Sequence, residues 1–202
     1  MLAGEAEVAG LPVVAATAKQ VGQLAVTVTT QGIFAMCATS PADLGSIVTP
    51  RLVLVLDEVR DPGNVGTLIR TADAFGASGV IATTGTADPW ASKATRASVG
   101  SVFHLPIITG VTLGGVAEWA VGAGVRLLGT DTAGRRLDAM GLELAQPSAW
   151  LVGNEAHGLP EPHLALCDER VRIPMWGWAE SLNVATAAGI CLYATAVAQD
   201  LS

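Results

Sequence analysis

The chain has 202 residues, of which 50% are hydrophobic and only 14% charged, and its mean hydropathy is +0.48. These values exclude a disordered or collagen-like chain and predict a large aliphatic core, since aromatic residues make up only 4%. The net charge of −7 argues against a protein that binds nucleic acid mainly by neutralising many phosphates.

The N-terminal part of the chain contains a strand-like segment, Gly32–Cys37, and a turn-rich segment, Pro41–Pro50, that we interpret as a linker. The residues before this linker are too few for an independent core, so they resemble the end of another domain. No basic n-region with an apolar stretch opens the chain. The three cysteines are an odd number without metal-ligand spacing, which predicts no metal site and suits a reducing cytoplasm.

From Arg51 onward, apolar runs alternate with helical patterns, and this alternation predicts an α/β fold with a parallel sheet flanked by helices. The long uncharged segment near the C-terminus is rich in Ala and holds several polar residues, which favours a buried or interface helix over a membrane span. The predicted strands are Leu52–Leu56, Gly79–Ala82, His104–Ile108, Val125–Gly129, Ala149–Gly153 and Arg170–Ile173, and the predicted helices are Val65–Phe75, Val111–Val121 and Ser181–Ala198.

The first candidate functional loop follows the strand Leu52–Leu56 and leads into a helix through a Pro-Gly turn. Asn64 is a natural N-cap for that helix, and Arg70 lies less than two turns further on, so both can border the carboxyl edge of the sheet. From spacing alone, Asn64 could equally serve only as a cap, with Arg70 only solvating the helix.

Two further loops follow later strands at the same predicted edge of the sheet. In the first, Gly153 and Gly158 let a ligand approach the main chain, and Glu155 lies between them, while His157 reads as a solvated side chain. In the second, Ser181 reads as the N-cap of the last helix. Asn183 is a poor helix former there, which suggests a role for its amide.

Other residues of these loops leave alternatives open. Trp176 and Trp178 could cover a ligand, stack on a base or pack between subunits. The chain has no Gly-x-Gly-x-x-Gly after a strand, no phosphate-loop lysine and no His/Cys cluster with metal spacing, so nucleotide hydrolysis and metal-dependent hydrolysis lose support.

Three motifs, in this order, resemble those of the SpoU (TrmH) family of RNA ribose 2′-O-methyltransferases, in the SPOUT superfamily. The resemblance covers roughly residues 51–200, and the segment Ser92–Gly100, which contains Arg96, also matches the family pattern. The motifs are Asn64-x5-Arg70 with Ala72-x-Ala74-Phe75-Gly76, then Gly153-Asn-Glu155-x-x-Gly158, then Ile173-Pro-Met175 leading to Ser181-Leu-Asn-Val184.

The resemblance implies a C-terminal deep trefoil knot, an exception to unknotted connectivity, in a homodimer that binds S-adenosylmethionine in the knot. It implies RNA, with ribosomal RNA favoured, as the substrate and RNA contacts at Arg70 and Arg96. It further implies that residues 1–48 are the remnant of a ribosomal-protein-like RNA-binding domain plus linker, and that residues 49–202 form the methyltransferase domain. The implied catalytic residues are Asn64, Arg70, Glu155, Ser181 and Asn183, and the implied cofactor-binding residues are Thr130, Gly153, Ile173, Pro174, Met175, Ser181 and Leu182.

The implied reaction transfers a methyl group from a sulfonium sulfur to a ribose 2′-oxygen, which must lose its proton. Because a guanidinium seldom gives up its proton, we interpret Arg70 as a hydrogen-bond donor to the developing alkoxide or an adjacent phosphate. Three alternatives are a transfer-RNA ribose methyltransferase, a non-catalytic RNA-binding assembly factor on the same fold, and a nicotinamide-dependent enzyme on an ordinary doubly wound sheet.

Overall fold

The computed structural model describes residues 2–24, 32–39 and 42–200, and the chain divides into two compact units, residues 1–39 and 40–202. The first unit contains two short helices, α1 (Leu2–Val8) and α2 (Ala18–Leu24). Residues 33–39 have no regular secondary structure, so the strand predicted over Gly32–Cys37 is wrong.

The boundary between the units lies about nine residues before the predicted one, because part of the predicted linker packs onto the second unit. Ala42 forms a parallel bridge with Ile108, and a 3-10 helix, Leu44–Ser46, follows. Ile47 is buried, and its side chain packs closely against Gly79. A Cβ added at Gly79 would lie about 3 Å from that side chain. Ala42–Pro50 therefore belongs to the fold of the second unit.

The second unit is a six-stranded, all-parallel sheet in the order β3-β2-β1-β5-β4-β6, which confirms the predicted parallel α/β architecture. The strands are β1 (Leu52–Leu56), β2 (Gly79–Thr83), β3 (Ile107–Val111), β4 (Arg126–Arg136), β5 (Ser148–Val152) and β6 (Glu169–Arg172). The helices are α3 (Pro62–Ala74), α4 (Ser92–Ser98), α5 (Leu113–Ala123), α6 (Glu161–Leu164) and α7 (Val184–Asp200), with short 3-10 helices at Ser101–Phe103, Leu137–Ala139 and Gly141–Ala145.

Two apolar layers cover the sheet, and the alternation of side chains along each strand supplies both of them. In β1, the three leucines at 52, 54 and 56 pack in the layer with α3 and α7, while Val53 and Val55 pack in the layer with α5. All five residues are buried, which explains why the strand reads as an uninterrupted apolar run. In β5, Trp150 is fully buried, and its indole N–H donates to Thr195 Oγ1 of α7 at 2.9 Å.

β3 begins three residues later than predicted, at Ile107 instead of His104. His104 closes the 3-10 helix Ser101–Phe103, and its imidazole Nδ1 lies 2.8 Å from Asp73 Oδ2. Because Pro106 cannot donate to a sheet ladder, pairing starts only after it.

In β4, the pairing with β6 is interrupted between Thr130 and Arg135, so residues 131–134 leave the ladder above the carboxyl end of the sheet.

Candidate active site

The loops that follow β1, β5 and β6 meet at one edge of the sheet. The strand order places β1 beside β5, with β4 and then β6 further along, and parallel strands present their carboxyl ends to the same side. Residues 57–61, 153–160 and 173–183 therefore come together although up to 126 positions separate them along the chain. This juxtaposition is the one that the sequence predicted.

A chain of side-chain hydrogen bonds connects these loops. Asn183 Nδ2 donates to Asn64 Oδ1 at 3.3 Å, and Asn64 Nδ2 donates to Glu155 Oε1 at 2.9 Å. The carboxylate of Glu155 also accepts from the backbone amides of Arg60 and Asp61, each at 3.3 Å. One residue from each motif thus enters a single network, which we call the Asn–Glu–Asn network (Asn64, Glu155, Asn183).

The environment of Glu155 keeps its carboxyl group ionised. Partial burial raises its pKa, but the hydrogen bonds from Asn64, from its own backbone amide and from those of Asp61 and Arg60 lower it by more. The pKa therefore lies below the usual 4.5. At neutral pH Glu155 is an acceptor only, which fixes the donor orientation of Asn64.

Both helix N-caps at this edge differ from the predicted ones. The N-cap of α3 is Asp61, not Asn64: its Oδ1 accepts from the amide of Asn64, and Pro62 occupies the first helical position. A hydrogen bond from Lys93 to Asp61, 2.7 Å long, contributes most to lowering the pKa of Asp61. Asn64 is therefore already inside the helix. Its backbone amide bonds to Asp61, and its side-chain amide takes part in the network.

At the last helix, Ser181 is not the N-cap either. Asn183 Oδ1 accepts from the amides of Ala185, at 2.9 Å, and Thr186, at 3.4 Å, so Asn183 caps α7 with its oxygen and donates to Asn64 with its nitrogen. The unfavourable helix propensity noted for Asn183 is explained by this position just before the helix. Ser181 is exposed in the preceding loop.

The two predicted RNA-binding arginines lie outside the network. Arg70 is exposed on α3, and its guanidinium forms no hydrogen bond or ion pair among the residues that the structure describes. Six residues along a helix correspond to a rise of about 9 Å, so Arg70 is held apart from Asn64. Glu155 bonds to the segment after β1 and to Asn64 rather than to Arg70. Arg96 is exposed on α4 and donates to Ser92 Oγ at 2.5 Å.

A cavity of about 540 Å³, a size typical of a small-molecule site, lies between the loops after β5 and β6 and residues 130–132. Most of the predicted cofactor residues line it, namely Thr130, Gly153, Ile173, Met175, Ser181 and Leu182, whereas Pro174 does not. Apolar side chains such as Leu159 and Val184 contribute to its wall, and Asp131 supplies a carboxylate. Loop 153–159 contributes every one of its residues.

The loop after β5 is held in a narrow turn by its own backbone. Asn154 and Gly158 form an antiparallel bridge in which the Gly158 amide donates to the Asn154 carbonyl at 2.8 Å. A Cβ on Gly153 would lie 2.6 Å from the Gly158 backbone, so only glycine fits at 153. Asn154 Nδ2 donates to the carbonyl of Glu58 at 3.1 Å and so connects this loop to the one after β1. No role for Asn154 was predicted from the sequence, although it lies between the predicted site residues Gly153 and Glu155.

A second cavity, of about 860 Å³, lies on the other side of the same loop. Residues 154–158 line both cavities, and Asn64 and Glu155 of the network face the second one. Asp57, Glu58 and Asp61 also line it, against a single arginine, Arg60. Loop 153–160, which we call the wall loop, therefore separates a smaller cavity of mixed polar and apolar lining from a larger one with several carboxylates.

The loop after β6 alternates between the cavity and the exterior. Met175, Gly177 and Ala179 line the smaller cavity, while Trp176 is 82% exposed and Trp178 is fully exposed. Within the described ranges, no cluster of three or more His, Cys, Asp or Glu side chains could hold a metal ion, and no helix is long and apolar enough to cross a membrane.

Comparison with known proteins matches residues 51–193 to the family model described as the SpoU rRNA Methylase family. The chain is 42% identical over 156 residues to a 23S rRNA (uridine(2479)-2′-O)-methyltransferase of Streptomyces viridochromogenes, covering 75% of this chain and 54% of that one. It is 39% identical over 169 residues to the 23S rRNA (guanosine(2553)-2′-O)-methyltransferase RlmP of Bacillus subtilis (strain 168), covering 83% of this chain and 65% of that one.

Among solved structures, the fold is similar to that of the SpoU methyltransferase AviRb from Streptomyces viridochromogenes in complex with the cofactor AdoMet. The TM-score is 0.74 at 36% identity, covering 81% of this chain and 67% of the other. The chain thus spans between about half and two thirds of the length of these relatives. The motif order, the parallel sheet and the matched residues agree, and the chain belongs to the SpoU rRNA methylase family.

Proposed function

We propose that this protein transfers a methyl group from S-adenosylmethionine to a ribose 2′-hydroxyl of RNA, and that the RNA is 23S ribosomal RNA. The observation that carries the proposal is the Asn–Glu–Asn network, which joins all three family motifs beside a cavity of small-molecule size. The relatives named above are 23S rRNA 2′-O-methyltransferases, which favours ribosomal over transfer RNA.

The smaller cavity fits S-adenosylmethionine. Its apolar side chains, among them Ile173 and Leu182, suit an adenine ring, and its turns at residues 153–158 offer backbone groups to polar parts of the ligand. Asp131 supplies a carboxylate for hydroxyl or ammonium groups. The bound cofactor would supply an activated methyl group on a sulfonium centre.

On the acceptor side, Asn64 and Asn183 would orient the ribose, and Glu155 would hold Asn64 in place. Arg70 would donate hydrogen bonds to the developing alkoxide or to an adjacent phosphate, because a guanidinium cannot act as a base near neutral pH. The exposure of Arg70 and its lack of partners among the described residues suit a group that waits for an RNA ligand. Solvent or an RNA phosphate would accept the 2′-hydroxyl proton.

We further propose that the segment from β6 to α7 is threaded as a deep trefoil knot. Alternating residues of the segment 171–184 line one cavity together with residues 130–132 and 152–159, so three separate stretches of chain crowd around the same point. A Cβ on Gly134 would lie 2.5 Å from the Arg170 backbone, which is further support for close crossing of these segments. The family resemblance favours the same topology.

The protein would act as a homodimer. On α7, Ile190, Tyr193 and Val197 are partly exposed at spacings of three and four, which makes one outward apolar stripe. The exposed Trp176 and Trp178 precede that helix and would extend the same surface. Burial of this stripe against a second copy would remove apolar area that a soluble monomer seldom exposes.

Residues 1–48 are proposed to be the remnant of an RNA-binding domain. The match to the Bacillus subtilis relative covers 83% of this chain, which is more than residues 51–202 alone can provide.

The proposed location is the cytoplasm, because an enzyme that acts on ribosomal RNA and has three unpaired cysteines suits a reducing compartment.

Methyl transfer from tritiated S-adenosylmethionine to total ribosomal RNA, and separately to total transfer RNA, tests the proposal. We expect label in the 23S fraction as an alkali-resistant dinucleotide, and a large loss of turnover in Arg70→Lys, because lysine lacks the planar fork of donors. Label only in transfer RNA would change the substrate, and no label would favour an assembly factor. Binding of NAD without binding of S-adenosylhomocysteine would overturn the reaction class.

A further inference from the structure

A buried carboxylate next to the candidate site takes no part in the chemistry described above. Asp57 immediately follows β1, and its side chain is only 4% exposed. Thr83 Oγ1, at the end of β2, donates to Asp57 Oδ1 at 2.8 Å, and His163 Nδ1 lies 2.5 Å from Asp57 Oδ2. Since a carboxylate only accepts, the proton between them is assigned to His163 Nδ1.

His163 connects this carboxylate to the loop that separates the two cavities. It lies on α6, which begins directly after residue 160, and its amide donates to the Pro160 carbonyl at 2.9 Å. Its side chain is 30% exposed, so it bridges solvent and the buried Asp57. Its contact with Asp57 spans 106 residues of sequence.

Different hydrogen bonds hold the two ends of loop 153–160, its entry after β5 and its exit before α6. At the entry, Asn154 and Glu155 make side-chain hydrogen bonds to residues 58, 60, 61 and 64. At the exit, within the described residues, the side-chain hydrogen bond from α6 back to the segment between β1 and α3 (residues 57–61, the β1–α3 segment) is the one between His163 and Asp57. Without it, the exit of the loop would depend on the packing of Leu159 and Leu164.

We propose that His163 is a positioning residue that, through Asp57, fixes the exit of loop 153–160 and thereby shapes the cofactor cavity. The inference rests on the proposed function, because it assumes that this cavity binds S-adenosylmethionine. A loop with one free end would populate conformations in which the cavity walls separate, and the cofactor would have to select the closed state. The expected consequence is weaker cofactor binding with little change in turnover at saturation.

The charged and titratable groups near the pair are held constant in the test. Glu58, Arg60 and Asp61 lie on the β1–α3 segment, and Glu155 and His157 lie on the wall loop. Glu161 shares α6 with His163, while Cys167, Asp168 and Arg170 follow it.

The test compares two substitutions at His163 in the full chain. His163→Leu removes the donor, whereas His163→Asn places an amide N–H near the position of Nδ1. We expect the dissociation constant of S-adenosylhomocysteine, measured by isothermal titration calorimetry, to rise about tenfold in His163→Leu, a ratio comparable with one charge-assisted hydrogen bond. His163→Asn should restore it to within about threefold of the unsubstituted protein. The KM for S-adenosylmethionine should follow the dissociation constant, with kcat nearly unchanged.

His104 offers a matched control, because it also pairs with a carboxylate, Asp73, at 2.8 Å, but beside the start of β3. His104→Leu should leave S-adenosylhomocysteine binding unchanged. Equal affinity in the unsubstituted protein and His163→Leu, or equal weakening by His163→Leu and His163→Asn, would overturn the inference. If His163→Leu fails to fold, Thr83→Val, which removes the other donor to Asp57, takes its place with the same expected loss. Failure of the unsubstituted protein to bind S-adenosylhomocysteine would instead overturn the proposed function.

Discussion

At the scale of single residues, Asn183 has two separate tasks, one for each end of its amide. Its oxygen caps α7, and its nitrogen donates to Asn64. An aspartate can replace the cap but not the donor, and an alanine can replace neither. The two roles can therefore be separated by substitution.

We predict that Asn183→Asp changes the free energy of unfolding by less than about 0.5 kcal/mol, since Asp and Asn are similar N-caps, but lowers methyl transfer at least tenfold. Asn183→Ala should lose about 1 kcal/mol of stability as well as activity. Urea unfolding and the tritium-transfer assay measure the two effects. Full activity in Asn183→Asp would show that the hydrogen bond to Asn64 has no role in the reaction.

Glu155 gives the network a dependence on pH. Because its pKa is lower in the folded protein than the usual 4.5, its contribution to stability is complete above that value and is lost as the pH falls through the lower, folded pKa. Glu155→Gln has no such ionisation. We predict that the urea midpoint of the unsubstituted protein falls more steeply between pH 6 and pH 3 than that of Glu155→Gln. Parallel curves would show that Glu155 has the same pKa in both states.

The residue scale is also where prediction from the sequence reached its limit. Asn64, Glu155 and Asn183 could be selected because each lies in a short motif just after an apolar strand. The N-caps were misplaced by two or three residues because Asn64 and Ser181 are good caps in isolation, and the choice of Asp61 and Asn183 depends on Pro62 and on tertiary partners. The pair of His163 and Asp57 left no signal, since no local pattern reports a contact across 106 positions.

At the scale of elements, strand prediction was accurate where burial on both faces produced continuous apolar runs. β1 is predicted residue for residue, and β2 and β5 to within one residue at either end. β4 extends seven residues beyond its predicted end because its second half is partly exposed and polar, and it pairs only with β6. Exposed edge pairing carries little hydrophobic signal in the sequence.

The residue after α4 has a strained backbone conformation, and a substitution there tests whether that strain exists in solution. Val99 has φ of 52°, in the left-handed region, and is 66% exposed, so it stores strain without contributing to the core. We predict that Val99→Gly stabilises the protein by about 1 kcal/mol in urea unfolding.

Val121 provides the matched control for that change. It is 81% exposed in the interior of α5, where the backbone is right-handed. Val121→Gly should destabilise the protein by about 0.5 kcal/mol, because glycine is the poorer helix former. Loss of stability in both variants would mean that residue 99 is not strained in solution.

At the scale of the whole molecule, a protein with a net charge of −7 would have to bind its proposed RNA substrate with few phosphate contacts. Carboxylates engage Arg60, Arg126, Arg135, Arg136 and Arg170 in ion pairs. Within the described part of the chain, Arg51, Arg70, Arg96 and Arg172 have no such pair, and Arg51 donates to the Gln199 carbonyl, which leaves three arginines for RNA. RNA recognition would thus rest on shape and on a small number of cations.

We predict that the logarithm of the RNA association constant falls with the logarithm of salt concentration with a slope of about 2 to 5, corresponding to three arginines from each of one or two subunits. The dissociation constant for naked RNA at physiological salt should be micromolar or weaker. Fluorescence anisotropy at several salt concentrations measures both quantities. A slope above about 6, or a sub-micromolar complex, would indicate a larger basic surface than this chain presents.

The central claim is that the loops after β5 and β6 form the donor-binding cavity, and that the Asn–Glu–Asn network, which ties them to the loop after β1, lies on its acceptor side. A crystal structure of the protein with S-adenosylhomocysteine tests it directly. We expect the ligand between residues 153–159 and 173–182, with its sulfur directed toward the side of Asn64. A ligand bound elsewhere, or a C-terminal segment that runs past these loops without passing between them, would contradict the account.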